Sequence, residues 1–133
     1  MMTVTHYNEA AHGGMVAEWW AARHRDRLFQ FGMLPPVGVV AEDEGGPCAA
    51  CWMHLSAGVG VAFIENPVTK PGMPLTKARD TLLFLMEVLE KIALEHDYGV
   101  MVAHTMPAIA RTLMGRGFTF GERTFLNGTK ILR

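Results

Sequence analysis

The order of elements between Phe63 and Phe118 limits the folds that this chain can adopt. An apolar strand comes first, followed by a loop rich in Pro and Gly and by a long amphipathic helix that begins near Thr76. A second apolar strand follows at Val100-Met101-Val102-Ala103, and a short helix begins at Pro107. A strand–helix–strand crossover makes its two strands parallel, and ligands bind where the carboxyl ends of such strands diverge. We therefore expect the functional site between these two strands.

Composition and charge exclude several classes of protein. The chain has 133 residues, enough for one core, and contains no linker or repeat, so we predict a single domain over residues 1–133. The net charge of −1 gives no basic field for nucleic acid. No apolar run reaches the ~20 residues of a membrane span, and the N-terminal residues lack the pattern of a signal peptide. We expect a cytoplasmic protein that binds neither nucleic acid nor a membrane.

The residues before the crossover predict an antiparallel meander with a helix in front of it. A short strand at residues 3–7 is followed by a helix from Gly14, whose apolar residues recur at three- and four-residue spacing. Three strands joined by short turns are expected at residues 37–42, 48–55 and 61–65, and Asn127-Gly128 predicts a hairpin near the C-terminus. The predicted fold class is α/β, with a mixed, mostly antiparallel sheet and helices on both faces.

The long helix has the clearest pattern. Residues at steps of four and three share one face that we predict to be buried: Ala78, Leu82, Leu85, Leu89, Ile92 and His96. Charged residues occupy the opposite face: Asp80, Glu87, Lys91 and Glu95. Thr76 is the expected N-cap, and Gly99 is expected to take a positive φ after the helix. Phe84 projects from the polar side, either under neighbouring residues or as the anchor of a homodimer.

Short motifs in this region resemble those of the GCN5-related N-acetyltransferase (GNAT) superfamily. Glu65 stands six residues before Pro71, Thr81-Leu82-Leu83 follows at the family's distance, and Gly117-Phe118 closes the segment. The resemblance covers nearly the whole chain and implies a GNAT-like acyl-CoA N-acyltransferase fold. It also implies transfer of an acetyl group from acetyl-CoA to a small-molecule or peptide amine, without a metal. The alternative is a GNAT-shaped binding or assembly protein that has lost acyl transfer.

In the family, the loop before the long helix holds coenzyme A. The resemblance implies that the cofactor-binding residues are Val68, Lys70, Gly72, Met73, Leu75, Thr76, Lys77, Ala78 and Arg79. The loop keeps one early glycine but lacks the family's paired glycines, and Pro74 removes one N–H from the helix start. Lys70, Lys77 and Arg79 place three cations there, either to hold a phosphate or as ordinary solvated residues. By the same resemblance, the N–H near Val68 polarises the thioester.

Acyl transfer needs a base that takes a proton from the attacking amine. Glu65 is the best-placed carboxylate. His104, at the end of the fifth strand, is the next catalytic candidate, because imidazole groups titrate near neutral pH without help. For each, the ordinary alternative is a solvated or hydrogen-bonded side chain. Leu113 stands where many family members carry a tyrosine that protonates the departing thiolate.

Two other groups of residues have alternative roles. Trp19 and Trp20 lie on the first helix, where the resemblance implies contact with the acceptor amine and where core packing is the simpler explanation. Cys48-Ala49-Ala50-Cys51 has the spacing of redox and zinc sites, but Trp52 continues as strand and only His54 is close enough in sequence to be a third ligand. Buried structural thiols are the favoured interpretation of the two cysteines.

Overall fold

The computed structural model describes residues 1–23, 29, 31–105, 107–121 and 130 of the chain. Within them the elements are β1 (Thr3–His6), α1 (Glu9–Arg23), a 3-10 helix (Phe31–Met33), β2 (Val37–Asp43), β3 (Gly46–Leu55), β4 (Val61–Thr69), α2 (Leu75–Glu95), β5 (Val100–Ala103) and α3 (Pro107–Met114). The five strands form one sheet in the order β1-β2-β3-β4-β5, antiparallel from β1 to β4 and parallel between β4 and β5. The predicted α/β class with a mixed, mostly antiparallel sheet is confirmed.

Helices cover both faces of the sheet, so two cores form. Val39 and Met53 point toward α2 and α3, and the core on this face is called the α2 side below. Their neighbours Val40 and Trp52 point to the opposite face, the α1 side, where they pack with Trp19 and other residues of α1. This alternation follows from the pleat of a strand, in which successive side chains point to opposite faces.

The apolar stripe of α2 supplies much of the core on the α2 side. Of the six residues predicted to share its buried face, three are buried and two are half-buried: Leu82, Leu85 and Leu89, then Ala78 and Ile92. Each buried leucine contributes roughly 1.5–3 kcal/mol relative to an exposed one. His96 is exposed, and its predicted burial is wrong, because the helix ends at Glu95 and His96 takes the C-cap position.

The starts of both long helices differ from the prediction. α1 begins before Gly14, because the side-chain oxygen of Asn8 accepts a hydrogen bond from the N–H of Ala11 at 3.1 Å and so caps an earlier turn. In α2 the N-cap is Pro74, and no side chain caps the helix. Thr76 therefore lies inside the first turn and is not the N-cap.

The end of α2 is a Schellman motif. Asp97 takes a φ of 62°, and the N–H of Tyr98 donates back to the carbonyl of Ala93 at 2.9 Å. The hydroxyl of Tyr98 then donates to the carbonyl of Ser56 at 2.6 Å, which attaches this end to the turn between β3 and β4. Asp97 rather than Gly99 thus adopts the left-handed conformation predicted at this end.

Two further sequence predictions concern the surface. Phe84 is half-buried and packs against the core on the α2 side, so its ring lies among residues of its own chain. This contact supports the simpler interpretation of Phe84, and the homodimer stays a prediction. The predicted hairpin at Asn127-Gly128 lies outside the described residues.

Candidate active site

β4 and β5 separate at their carboxyl ends. Their parallel pairing stops at Ile64 and Ala103, but β4 continues to Thr69 beside β3. A register shift between β3 and β4 follows directly, where Asn66 takes a left-handed φ of 51°. Because an extra residue bends a strand and increases its twist, this bulge directs β4 away from β5. The resulting gap lies where open α/β sheets bind their ligands.

On the α2 side, a narrow crevice with a volume of only about 10 Å³ lies between the separating strands. Its walls are mainly apolar: Ile64, Pro67, Leu82, Met86, Ala103, His104, Thr105, Ile109 and Leu113. His104 is the titratable residue of this set and lies exposed, directly after β5. We call this pocket the α2-side crevice.

On the α1 side, a more open cleft of about 380 Å³ lies over the same part of β4. One wall is the segment around the end of the 3-10 helix, and the other consists of two strand residues: Gly32, Met33, Leu34, Pro35 and Pro36, then His54 and Glu65. Glu65 is half-buried, and it pairs across the sheet with the fully buried Trp52. The side chains of Glu65 and Trp52 therefore project from neighbouring strands on the same face. We call this pocket the α1-side cleft.

The two predicted catalytic residues lie on opposite sides of the sheet. Ile64 contributes to the core on the α2 side, and Glu65, the next residue of the strand, lines the α1-side cleft. His104 lines the α2-side crevice. The structure therefore does not bring Glu65 and His104 into one pocket, and each has to be assigned its own role.

Backbone N–H groups of β4 alternate between β3 and the gap. The N–H of Lys70 donates to the carbonyl of Cys48 at 2.9 Å, so it points toward β3. Because successive N–H groups of a strand point to opposite edges, the N–H of Thr69 points toward the gap and that of Val68 points toward β3. Pro67 has no N–H. The N–H group next to Val68 that faces the gap is therefore that of Thr69, and the donor role expected near Val68 stays a prediction.

The start of α2, next to the gap, leaves backbone donors without a side-chain cap. Pro74 has no N–H, so the first groups without an intrahelical partner are the N–H groups of Leu75, Thr76 and Lys77. The first turn of α2, all of it described, contains no acidic residue, and the Leu75 side chain is exposed. This turn fits an anion, because free N–H groups and the helix dipole both favour negative charge.

The three cations expected around the helix start differ in their partners. Lys77 pairs with Asp43 at the end of β2, and this hydrogen bond lowers the pKa of Asp43 and raises the pKa of Lys77. Arg79 lies 3.2 Å from its neighbour Asp80, and both side chains are more than half exposed, so this pair stabilises little. Lys70 is exposed. Lys70 and Arg79 are therefore more accessible to a phosphate than Lys77.

Solved structures of acetyltransferases share this architecture. The aminoglycoside N-acetyltransferase AAC(6')-Iy, bound to a CoA bisubstrate analogue, superposes with a TM-score of 0.70 at 13% identity, over 98% of this chain and 99% of that one. An acetyltransferase of Trypanosoma brucei gives 0.62 at 12% identity, over 97% and 100%. This chain has the GNAT acetyltransferase fold. An integron cassette protein of V. cholerae also shares it, with a TM-score of 0.70 at 10% identity over 98% and 93%. No family model and no curated protein matches the sequence.

Within the GNAT fold, the position of the family's tyrosine is apolar in this chain. Leu113 is 2% exposed and lines the α2-side crevice. Tyr98 is bonded to the turn between β3 and β4, and Tyr7 packs edge-on against Trp52 on the α1 side, with ring centroids 5.0 Å apart. Neither of these two tyrosines lines the crevice. Neither can therefore replace the phenol that many family members carry at the position of Leu113.

The two tryptophans predicted to touch the acceptor are core residues. Trp19 is 5% exposed and Trp20 is 1% exposed. Neither residue lines the α1-side cleft or the α2-side crevice. Their large apolar rings are buried, which supports core packing as their role, and the contact with the acceptor stays a prediction.

The two cysteines are free and buried. Both belong to the core on the α2 side, because the register shift between Ala41 and Glu42 interrupts the alternation of β3 near Cys48. Burial raises the pKa of Cys48 and raises the pKa of Cys51 to about 12. Neutral, enclosed thiols are poor nucleophiles, which supports a structural role.

Three features of the site were not indicated by the sequence. They are the position of His54 in the α1-side cleft, the contribution of residues 32–36 to the same cleft, and the ion pair between Asp43 and Lys77, which lie 34 residues apart. The one available signal was the polar His54 in an otherwise apolar strand.

Among the described residues, no group of three or more His, Cys, Asp or Glu side chains is placed to hold a metal ion. The described helices include none that is long and apolar enough to cross a membrane.

Proposed function

We propose that this chain is an N-acyltransferase that moves an acetyl group from acetyl-CoA to an amine. The observation that carries the proposal is the separation of β4 and β5 beside the uncapped start of α2. The gap between the strands is where we expect the thioester arm to lie, and the helix start is where we expect the pyrophosphate to lie. AAC(6')-Iy, which has the same fold, has been solved in complex with CoA.

The donor is expected to run from the helix start into the gap. Pyrophosphate oxygens accept hydrogen bonds from the free N–H groups of Leu75, Thr76 and Lys77, and Lys70 and Arg79 add positive charge at the solvent edge. The remaining residues of the predicted cofactor set shape the path: Val68, Gly72, Met73 and Ala78. Gly72 takes a φ of 83°, which allows the loop to turn before α2.

The acceptor approaches from the α1-side cleft. Glu65, directly or through a water, takes a proton from the ammonium group of the acceptor. The free amine then attacks the thioester carbonyl carbon, a C–N bond forms, and the carbonyl electron pair moves onto oxygen, where the N–H of Thr69 stabilises the charge. The C–S bond breaks as the carbonyl re-forms, and the nitrogen loses its second proton to water. The products are an amide and the thiolate of coenzyme A.

His104 is proposed to act on the donor side. It lines the α2-side crevice beside the end of β5, which is the side away from Glu65. The His104 imidazole is suited to pass a proton from water to the departing thiolate, the role that the position of Leu113 does not fill. This assignment gives the two predicted catalytic residues complementary tasks.

Calorimetric titration with acetyl-CoA tests donor binding. We expect micromolar affinity, and we expect Lys70→Gln and Arg79→Gln each to weaken it by about twofold to fivefold, because each removes one exposed charge. Lys91→Gln is the matched control, since Lys91 lies about three turns further along α2 and pairs with Glu87. An acetyl thioester of pantetheine, which lacks the pyrophosphate, should bind all four proteins equally.

Two results would overturn the donor site. Absence of binding at millimolar acetyl-CoA would exclude an acetyl-CoA enzyme. Equal loss of affinity for acetyl-CoA and for the pantetheine thioester in Lys70→Gln and Arg79→Gln would place the pyrophosphate away from the helix start.

A GNAT-shaped binding protein without acyl transfer is the second candidate. The observation that favours it is the apolar position at Leu113, together with the missing N–H of Pro74. Release of free thiol from acetyl-CoA in the presence of an amine distinguishes the two candidates. Donor binding without thiol release from any amine would favour the binding protein.

A further inference from the structure

We propose that the acceptor is a monoamine with an apolar body, rather than a polyamine or an aminoglycoside. The inference rests on the proposed function and names the substrate class of the α1-side cleft. It depends on the charge in the cleft, on the chemistry of its opposite wall and on the side chains exposed beside that wall.

The cleft is built to attract one ammonium group. Among its described lining residues, Glu65 is the one carboxylate. Glu65 is half-buried, and this partial removal from water strengthens its interaction with a cation. His54, the other polar side chain of the lining, offers no negative charge to a second ammonium. A polyamine would therefore leave further positive charges unpaired in the cleft.

The opposite wall presents apolar side chains and few free backbone donors. Met33 and Leu34 present apolar side chains, and Pro35 and Pro36 have no N–H. The N–H of Leu34 already donates to the carbonyl of Phe31 at 3.1 Å. Residues 34–36 therefore have no free backbone donor for the hydroxyl groups of an aminoglycoside.

Exposed apolar side chains extend this wall toward the solvent. Met33 lines the cleft and is 36% exposed, and Phe31, which packs against Phe29, is 43% exposed in the same 3-10 helix. Large apolar groups at the edge of a pocket are available to cover an apolar ligand. An acceptor that places its amine at Glu65 and its apolar body along residues 33–36 would use both walls.

The test compares acetylation of 2-phenylethylamine, spermidine and an aminoglycoside by thiol release from acetyl-CoA. We expect kcat/KM for 2-phenylethylamine to exceed that for either polycation by at least about tenfold. Only the monoamine buries apolar surface without leaving an ammonium group unpaired in the cleft. Met33→Glu adds a second carboxylate to the apolar wall. It should change the ratio of spermidine to 2-phenylethylamine by roughly threefold to fivefold in favour of spermidine.

Leu94→Glu is the matched control for the charge change. Leu94 is 68% exposed on α2, which lies on the opposite side of the sheet, so the same substitution there should leave the ratio unchanged. A second readout does not need turnover. Titrated amines should shift the NMR signals of His54, and 2-phenylethylamine should do so at a concentration at least tenfold lower than spermidine.

Each outcome decides the inference. A higher kcat/KM for spermidine or the aminoglycoside than for the monoamine would overturn the acceptor class and leave acyl transfer standing. Thiol release from none of the amines would overturn the proposed function instead, and selective binding of the monoamine by NMR would still support the ligand class. An equal shift of the ratio in Met33→Glu and Leu94→Glu would show that overall charge, not the cleft, sets the preference.

Discussion

The two pockets on either side of β4 are built on one strand and differ in almost every property. The α2-side crevice is narrow, mainly apolar and enclosed by two helices, whereas the α1-side cleft is open and contains Glu65 and His54. The difference arises because Ile64 and Glu65 are neighbours in an extended strand and point to opposite faces. A single strand can therefore separate a pocket suited to a thioester arm from one suited to an amine.

The bulge at Asn66 opens a gap in the sheet between the two pockets. It follows directly after the last paired residues of β4 and β5, so the strands part at the point where Glu65 is presented. A regular strand would continue its pairing with β5 and close the gap between the two pockets. Strain in a left-handed non-glycine residue is thus located at the candidate site, which is common in functional regions.

The largest expected effect tests whether the two pockets divide the chemistry. Glu65→Gln should lower kcat/KM for acyl transfer by at least about 100-fold, because a general base contributes 10²- to 10⁴-fold, while the Kd for acetyl-CoA stays unchanged. His104→Gln, on the donor side, should lower kcat/KM by about tenfold or less. Steady-state kinetics and calorimetry on both variants measure these effects. A larger loss in His104→Gln than in Glu65→Gln would exchange the roles of the two pockets.

A smaller effect is expected from crowding on the α1 side. A Cβ at Gly38 would lie 2.5 Å from two atoms of the Trp52 indole and 2.8 Å from the Cβ of Tyr7. Gly38→Ala should therefore lower the free energy of unfolding by about 1–3 kcal/mol, measured by urea denaturation. Because Trp52 is the cross-strand partner of Glu65, acyl transfer should fall more than donor affinity.

Gly14→Ala is the control for that substitution. Gly14 lies within α1 with no atom within 4 Å of an added Cβ, so alanine should stabilise the protein by about 0.5–1 kcal/mol. Equal destabilisation of both variants would show that the contact with Trp52 is not the cause.

The smallest expected effect concerns the ion pair between Asp43 and Lys77. The hydrogen bond lowers the pKa of Asp43 below its ordinary value of 3.8, so this carboxylate stabilises the fold above that pH and the contribution is lost as pH falls through the lowered pKa. We expect Asp43→Asn to have a slightly lower Tm than the wild type near neutral pH. The two melting curves should converge below about pH 3. A difference in Tm between Asp43→Asn and the wild type that persists in acid would show that the ion pair with Lys77 is not its cause.

Elements with strong local patterns could be predicted from the sequence. The spacing of Leu82, Leu85 and Leu89 indicated α2, and the alternating and apolar runs indicated the five strands that form the sheet. The predictions of these elements succeeded because burial of one face is encoded by residues close together in the chain. Glu65 was selected as the best-placed carboxylate, and its catalytic role stays a prediction.

Features that depend on distant contacts could not be predicted. The pairing of Lys77 with Asp43 joins residues 34 positions apart, and the wall at residues 33–36 meets Glu65 only in the folded chain. The bulge at Asn66 also escaped prediction, because a left-handed asparagine in a strand has no periodic signature. The sequence could therefore place the expected backbone donor only near Val68, and the structure shows that the N–H of Thr69 faces the gap.

The two ends of α2 are held very differently. The far end has its Schellman motif and the bond from Tyr98 to Ser56, whereas the near end has no cap and an ion pair on the surface. Fraying of α2 should therefore begin at Leu75, and amide protons of the first turn should exchange with solvent faster than those of the last. A ligand that binds the first turn must suppress this fraying, so the entropic cost of ordering the helix reduces its affinity. The protection of these few amides would then report occupancy directly, even for a ligand that is never turned over.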